Sequence, residues 1–195
     1  IHYLAGGHLL PTVILSAVFL ILLGMGMPTP AVYLTASALL APVLSLSFKL
    51  PLMQLHLFML YFACLSAITP PIAVANFAAG AIAGANPMAV GRQAVKLALG
   101  GFIIPFFFLF NPGLNMEGGA VVIVQSFIFA LGMVTFASLS VNGHLGKLAL
   151  HWLMRGVLGI LALLLIWHDA SVQMGALLLG LSVFIWCGWR ASLRP

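Results

Sequence analysis

Long apolar runs almost free of charge dominate the chain, and they leave its backbone few places to find hydrogen-bond partners. Of 195 residues, 64% are hydrophobic and 5% are charged, with a mean hydropathy of +1.24. A chain of that kind belongs in a bilayer, where lipid offers no hydrogen bonds and the backbone must satisfy itself as helices or a closed barrel. The long unalternating apolar runs select helices. The sequence therefore specifies an all-α integral membrane protein.

Two polar, proline-marked interruptions break this pattern: Gly24-Met25-Gly26-Met27-Pro28-Thr29-Pro30 and Ser66-Ala67-Ile68-Thr69-Pro70-Pro71. A membrane-crossing helix needs about 20 residues for a hydrocarbon core of about 30 Å. Leu9 to Leu23 supplies fifteen before the first interruption, and Ala31 to Phe48 supplies eighteen, with Pro42 inside. Two short arms around a glycine-proline tip describe a re-entrant hairpin over residues 1–48, tip at 24–30; two full spans with a tight inner turn are the alternative. Leu52 to Ala85, at thirty-four residues, is too long for one simple span and is interrupted near its middle. Residues 49–86 thus describe a broken transmembrane helix with its break at 66–71. Residues 87–118 hold an amphipathic segment near Pro87 to Lys96 and a span from Ala94 to Phe110, with a kink expected at Pro105. Residues 119–195 form a three-helix extension with spans at Ala120–Val141, Leu148–Trp167 and Ser171–Trp189, making about four further transmembrane helices in all.

The few charges set a topology. Basic loops (Arg92 and Lys96; Lys147 and Arg155; Arg190 and Arg194) alternate with acidic ones (Glu117; Asp169), and Lys49 is the exception. By the positive-inside rule the C-terminus is cytoplasmic, and the hairpin enters from the outer side. Seven basic residues, this scattered, do not make a nucleic-acid surface. Cys64 and Cys187 have no partner spacing, so neither a disulfide framework nor a zinc site is indicated. The chain begins at Ile1 without a charged n-region and cleavage site, so no signal peptide is read. His2, His8, His144, His151 and His168 read as interfacial or terminal anchors. His56 lies inside the first half-helix, facing either a cavity or a packing partner.

Non-helical backbone in hydrocarbon costs several kcal/mol per unsatisfied group, so it persists only where protein, water or a ligand supplies partners. The two interruptions supply helix C-termini near Gly24 and Ser66 and helix N-termini near Ala31 and Ile72. Carbonyls at the former favour a cation and amides at the latter an anionic group. That is the layout of a secondary transporter with a midplane site. The oxygen-only donor set, including the hydroxyls of Thr29, Ser66 and Thr69, suits sodium, because neither interruption holds a carboxylate for a divalent ion or a proton relay. Thr29, Ser66, Thr69, Pro70 and Asn76 are the candidates for contact with substrate, although Asn76 equally reads as a hydrogen-bonded joint between helices. An enzyme is disfavoured, since Glu117 and Asp169 are the only carboxylate side chains and both are expected in outer turns. A passive channel or membrane scaffold subunit without coupled transport is the alternative function.

Gly-Met-Gly-Met-Pro-Thr at 24–29, Ser-Ala-Ile-Thr-Pro-Pro-Ile-Ala at 66–73, Ala-Gly-Ala-Asn-Pro-Met at 83–88 and Phe-Asn-Pro-Gly-Leu at 110–114 resemble the large membrane subunit of tripartite ATP-independent periplasmic (TRAP) transporters. The likeness is to the C-terminal part of the fused branch that works with TAXI-type receptors. The resemblance implies one of two inverted repeats of an elevator-type permease in the bacterial inner membrane. It implies a sodium gradient as driving force, no cofactor, a periplasmic solute-binding protein as partner and a small carboxylate as solute. By position it implies a sodium site formed by Gly24, Met25, Gly26 and Thr29 at the hairpin tip with Ala67, Ile68 and Thr69 at the helix break, largely through main-chain carbonyls. The family has a first repeat with its own hairpin and break. This chain holds one such pair, so a missing N-terminal repeat or a separate membrane subunit is an expected partner.

Overall fold

Helix boundaries follow the proline and glycine punctuation closely. The computed structural model describes residues 6–145, 148–166 and 169–192. His2, Lys147, Trp167, His168 and Arg194 fall outside them, as do the side chains of His144, Cys187 and Arg190. The described helices are α1 (Leu9–Leu23), α2 (Thr29–Phe48), α3 (Leu52–Ser66), α4 (Val74–Ala83), α5 (Pro87–Leu97), α6 (Leu99–Phe110), α7 (Ala120–Asn142), α8 (Trp152–Leu164) and α9 (Ala170–Ser192). A short 3₁₀ turn covers Pro112–Asn115. A two-residue antiparallel pairing, β1 (His144–Leu145) with β2 (Leu148–Ala149), joins α7 to α8. The chain folds as two compact units, residues 1–105 and 106–195.

In the first unit α3 packs against α1 and α2, and α4 packs against α5. The core along α1, α2 and α3 is built from Val13, Leu20, Val32, Ala36, Leu44, Leu55, Phe58, Met59 and Phe62, all essentially inaccessible. Pro28 and Pro51 immediately precede α2 and α3, and Pro87 opens α5, positions where the absent N–H is no loss. Asn86 caps α5, its Oδ1 accepting from the Met88 amide at 2.8 Å. Large apolar side chains also face outward, with Leu46 83% and Ile82 90% exposed. In water that would be a liability, whereas in lipid it is the expected outer surface.

Among the described residues, two helices, α2 and α7, are each long and apolar enough to cross a membrane, and the pair α5–α6 is a third if counted as one bent span. The 45° bend in that pair lies at Ala98, and α6 runs on through Pro105. The sequence placed the kink at the proline. The bend between α5 and α6 falls ahead of it, where an amphipathic stretch carrying Arg92, Gln93 and Lys96 hands over to a wholly apolar one. The chain turns there because its two halves require different surroundings.

In the second unit α7 packs against α8 and α9. Gly132 and Gly180 make the α7–α9 approach possible: a Cβ on Gly132 would lie 2.6 Å from Leu177 Cδ1, and one on Gly180 would overlap the Phe136 ring. Gln173 is buried in α9, and its Nε2 donates to the Leu165 carbonyl at 2.9 Å. The span predicted over Leu148–Trp167 is shorter than expected. Residues 148–149 are taken by the strand pairing and His151 caps the helix, so α8 has only 13 residues, roughly 20 Å.

Arg155 completes the α7–α8 corner. Its Nε donates to the Ser140 carbonyl at 2.8 Å and Nη2 to the Val141 carbonyl at 2.9 Å. The Ser140 hydroxyl donates to the Arg155 carbonyl at 2.7 Å. The guanidinium thereby satisfies carbonyls orphaned at the C-terminus of α7 and lies at the negative end of its dipole. Arg155→Ala is expected to lower unfolding stability by about 1.5–3 kcal/mol, the usual worth of hydrogen bonds to a charged group. Thermal unfolding in detergent checks this, and Arg155→Lys, lacking the fork, should recover only part.

At the start of α9, Asp169 Oδ1 accepts from the Ser171 hydroxyl at 2.6 Å and from the Ser171 amide at 2.9 Å. The hydroxyl bond first, then the amide bond from Ser171, hold the Asp169 carboxyl below its ordinary value of 3.8, against an opposing effect of desolvation and with a lesser amide bond from Val172 in their favour. A depressed folded-state pKa contributes stability that is present above 3.8 and disappears as pH falls through the lower folded value. With only two acidic side chains in the chain, that window is assignable. The midpoint of thermal unfolding should depend on pH below 3.8 less steeply in Asp169→Asn than in the parent.

Candidate functional site

The two interruptions meet in space. α1 ends at Leu23, and Gly24 caps it, its N–H donating to the Leu20 carbonyl at 3.0 Å. α3 ends at Ser66, and Ala67 caps it. Gly24 lies directly against Ser66: a Cβ at Gly24 would overlap both Cβ and Oγ of Ser66. Two residues on, Gly26 adopts φ +81°, and a Cβ there would sit 3.6 Å from Cγ2 of Ile72. Positive φ favours glycine because it has no Cβ to clash. The hairpin tip therefore touches the break in two places, at the C-terminal end of α3 and just before α4.

Within the tip the Met27 amide donates to the Gly24 carbonyl at 3.3 Å. The carbonyls of Met25 and Gly26 accept no backbone hydrogen bond among the described residues. Thr29 is half-buried at the first position of α2. Within the second break, three tight turns continue α3: the amides of Ala67, Ile68 and Thr69 donate to the carbonyls of Cys64, Leu65 and Ser66 at 3.1–3.3 Å. The Ser66 hydroxyl donates to the Ala63 carbonyl and the Thr69 hydroxyl to the Leu65 carbonyl, each at 2.7 Å. Both hydroxyl oxygens retain acceptor capacity.

Residues 67–73 then run non-helically to α4, seven residues where the sequence located a six-residue interruption at 66–71. The Pro70–Pro71 peptide is cis. Two bonds return across the gap: the Ala75 amide donates to the Ala67 carbonyl at 3.2 Å, and Asn76 Nδ2 donates to the Ile68 carbonyl at 2.8 Å. Of the two sequence readings for Asn76, the helix joint is visible here. A small cavity of about 140 Å³ borders this segment, lined by Pro70, Pro71, Asn76, Phe77 and Asn86 among others.

The structure thus places Gly24, Met25 and Gly26 next to the segment that contains Ser66 to Ile72. No hydrogen bond among the described residues joins Thr29 to Thr69. No group of three or more His, Cys, Asp or Glu among the described residues gathers for a metal.

Three more residues tie these elements together, and the sequence reads His56 as facing either a cavity or a packing partner and Ile72 as lying near a helix N-terminus. His56 shares a hydrogen bond of 2.9 Å between its Nδ1 and the Tyr33 hydroxyl, which ties α3 to α2. Ile72 meets the hairpin glycine. Gly91, buried in α5, packs against Asn76 and Pro70. Gly91 escaped sequence reasoning, although a glycine inside a helix costs about 1 kcal/mol and asks for a packing reason.

Apolar helices of spanning length and outward-facing leucines point to a multi-pass membrane protein. Residues 2–118 match the family model described as "Tripartite ATP-independent periplasmic transporter, DctM component". The chain belongs to that family of transporter permeases. Its matched region ends just before α7, so the resemblance seen in the four motifs holds over the hairpin, the break, α5 and α6. No curated protein and no solved structure matches the chain.

The Gly24–Ser66 contact generates a test of the hairpin-to-break packing. Gly24→Ala should destabilise by about 1–3 kcal/mol through overpacking. Adding Ser66→Gly should recover part of the loss, whereas strict additivity in the double-mutant cycle would contradict the contact.

Proposed function

We propose that this chain forms the ion-coupled half of a sodium-driven permease for small organic solutes, carboxylates first among them. The observation that carries the reading is the meeting of two helix breaks at Gly24–Ser66 and Gly26–Ile72, in a chain of the tripartite periplasmic transporter family. Freed carbonyls at the tip, Met25 and Gly26 above all, with the second lone pairs of Ala67 and Ile68 and a hydroxyl from Thr29 or Thr69, make a neutral, oxygen-only donor set. Such a set fits a monovalent hard cation. Sodium binding there would hold the tip against the break and so favour one arrangement of the two elements. Solute would bind on the same side, against Ser66, Thr69, Pro70 and Asn76.

In this reading residues 9–48 form a hairpin entering from the periplasmic side, α3 and α4 form one broken crossing, and the assembly moves as an elevator in the bacterial inner membrane with its C-terminus in the cytoplasm. A periplasmic receptor delivers the solute. A companion half with its own hairpin and break, or a separate membrane subunit, completes the permease. The family's three-part composition and the midplane logic of paired broken helices support this arrangement.

The test is uptake by the complete permease containing this chain, reconstituted with its receptor, with and without an inward sodium gradient. Uptake should require the gradient and should fall at least tenfold in Gly26→Ala combined with Thr69→Ala. Flux without a gradient, or unaltered uptake in the double variant, would overturn the proposal, and gradient-independent flux would indicate a passive channel.

A further inference from the structure

We infer that Asn76 is a positioning residue that sets the direction of the Ile68 carbonyl, and that Gly91 holds Asn76 in place from the neighbouring helix. This rests on the sodium reading above and assigns a role within the same site. Asn76 is the third residue of α4 and only 4% exposed. Asparagine is a poor residue inside a helix, because its side chain competes for backbone groups. Here that competition is directed across the break: Nδ2 donates to the Ile68 carbonyl at 2.8 Å, eight residues earlier. The backbone bond from Ala75 to the Ala67 carbonyl runs beside it. Two consecutive carbonyls at the end of α3 are thus held by two consecutive residues of α4. Each carbonyl uses one lone pair in this way and keeps the other.

The backing comes from α5. A Cβ on Gly91 would lie 2.6 Å from Asn76 Nδ2 and 2.8 Å from Pro70 Cγ. Glycine at 91 therefore leaves the room that the carboxamide occupies beside α5. A Cβ there would displace the nitrogen from the place in which it bonds to the Ile68 carbonyl while keeping asparagine at 76. Carbonyl ligands must be held to within about half an ångström for useful ion affinity, so a shift of that size matters. Asn76 does not need to touch the ion. It acts through Ile68.

The experiment uses the full-length permease that contains this chain, purified in detergent, with sodium chloride as the ligand and choline chloride as the ionic control. Radiolabelled sodium binding gives the half-saturating concentration, and thermal unfolding in choline chloride gives the stability without ion. Asn76→Leu, close in shape but without the donor, and Gly91→Ala should each raise the half-saturating sodium concentration about tenfold, the effect of losing one well-made hydrogen bond. A merely structural role would lower the unfolding midpoint in choline and leave the half-saturating concentration where it was, and that result overturns the inference. Should Asn76→Leu fail to fold, Gly91→Ala decides alone, since it keeps every polar group. Saturable binding by the parent with unaltered binding in the variants overturns the positioning role only. No saturable binding by the parent overturns the sodium reading and the positioning role together.

Discussion

A backbone carbonyl or amide released inside an apolar layer has to be satisfied by something other than solvent, and the arrangement of the first unit answers that demand. Two of the non-helical stretches in unit 1, at 24–28 and at 67–73, lie one against the other. Two glycines make the approach possible. Gly24 lets the tip rest on Ser66, and Gly26 takes a backbone conformation that a side chain would oppose. The loose ends are then taken up locally: Ser66 and Thr69 bond back into α3, and Ala75 and Asn76 bond back across the gap to Ala67 and Ile68. The carbonyls left over, at Met25 and Gly26, lie in the tip that faces this satisfied segment.

The same economy appears in the second unit. There the orphaned carbonyls at the end of α7 go to the Arg155 guanidinium, and the tightest helix approach relies on Gly132 and Gly180. One charged group serves a helix end; two glycines serve a packing face. The contrast with the first unit is informative. A helix end can be closed by a side chain, as Arg155 does, whereas the tip at 24–28 leaves carbonyls uncapped beside a break that holds only neutral groups.

Much of this was legible along the chain because proline and glycine act locally. Pro28, Pro51 and Pro87 start helices wherever they fall, and glycines at 24, 84 and 143 end them, so the hairpin arms, the break and α7 could be read from residue type alone. Where sequence reasoning went astray, a non-local or compositional effect outweighed the local one. Pro105 was expected to kink its helix, yet the bend falls at Ala98, where the surroundings of the helix change. The span beginning at Leu148 was expected to be full length, yet strand pairing across the turn takes its first residues.

Residue types alone determined that the chain lives in a bilayer, that it breaks twice in its first half, and that the breaks carry oxygens and no carboxylates. These follow from transfer energetics and from the fixed torsions of proline, which need no knowledge of neighbours. Only the tertiary structure decided which glycine meets which break residue, that His56 is tied to Tyr33, and that Asn76 reaches back to Ile68 beneath Gly91. Those contacts join residues that are 8 to 46 positions apart, at the scale of a single missing methyl group. Their distances depend on how whole helices lie against one another, which no local rule of the backbone can supply.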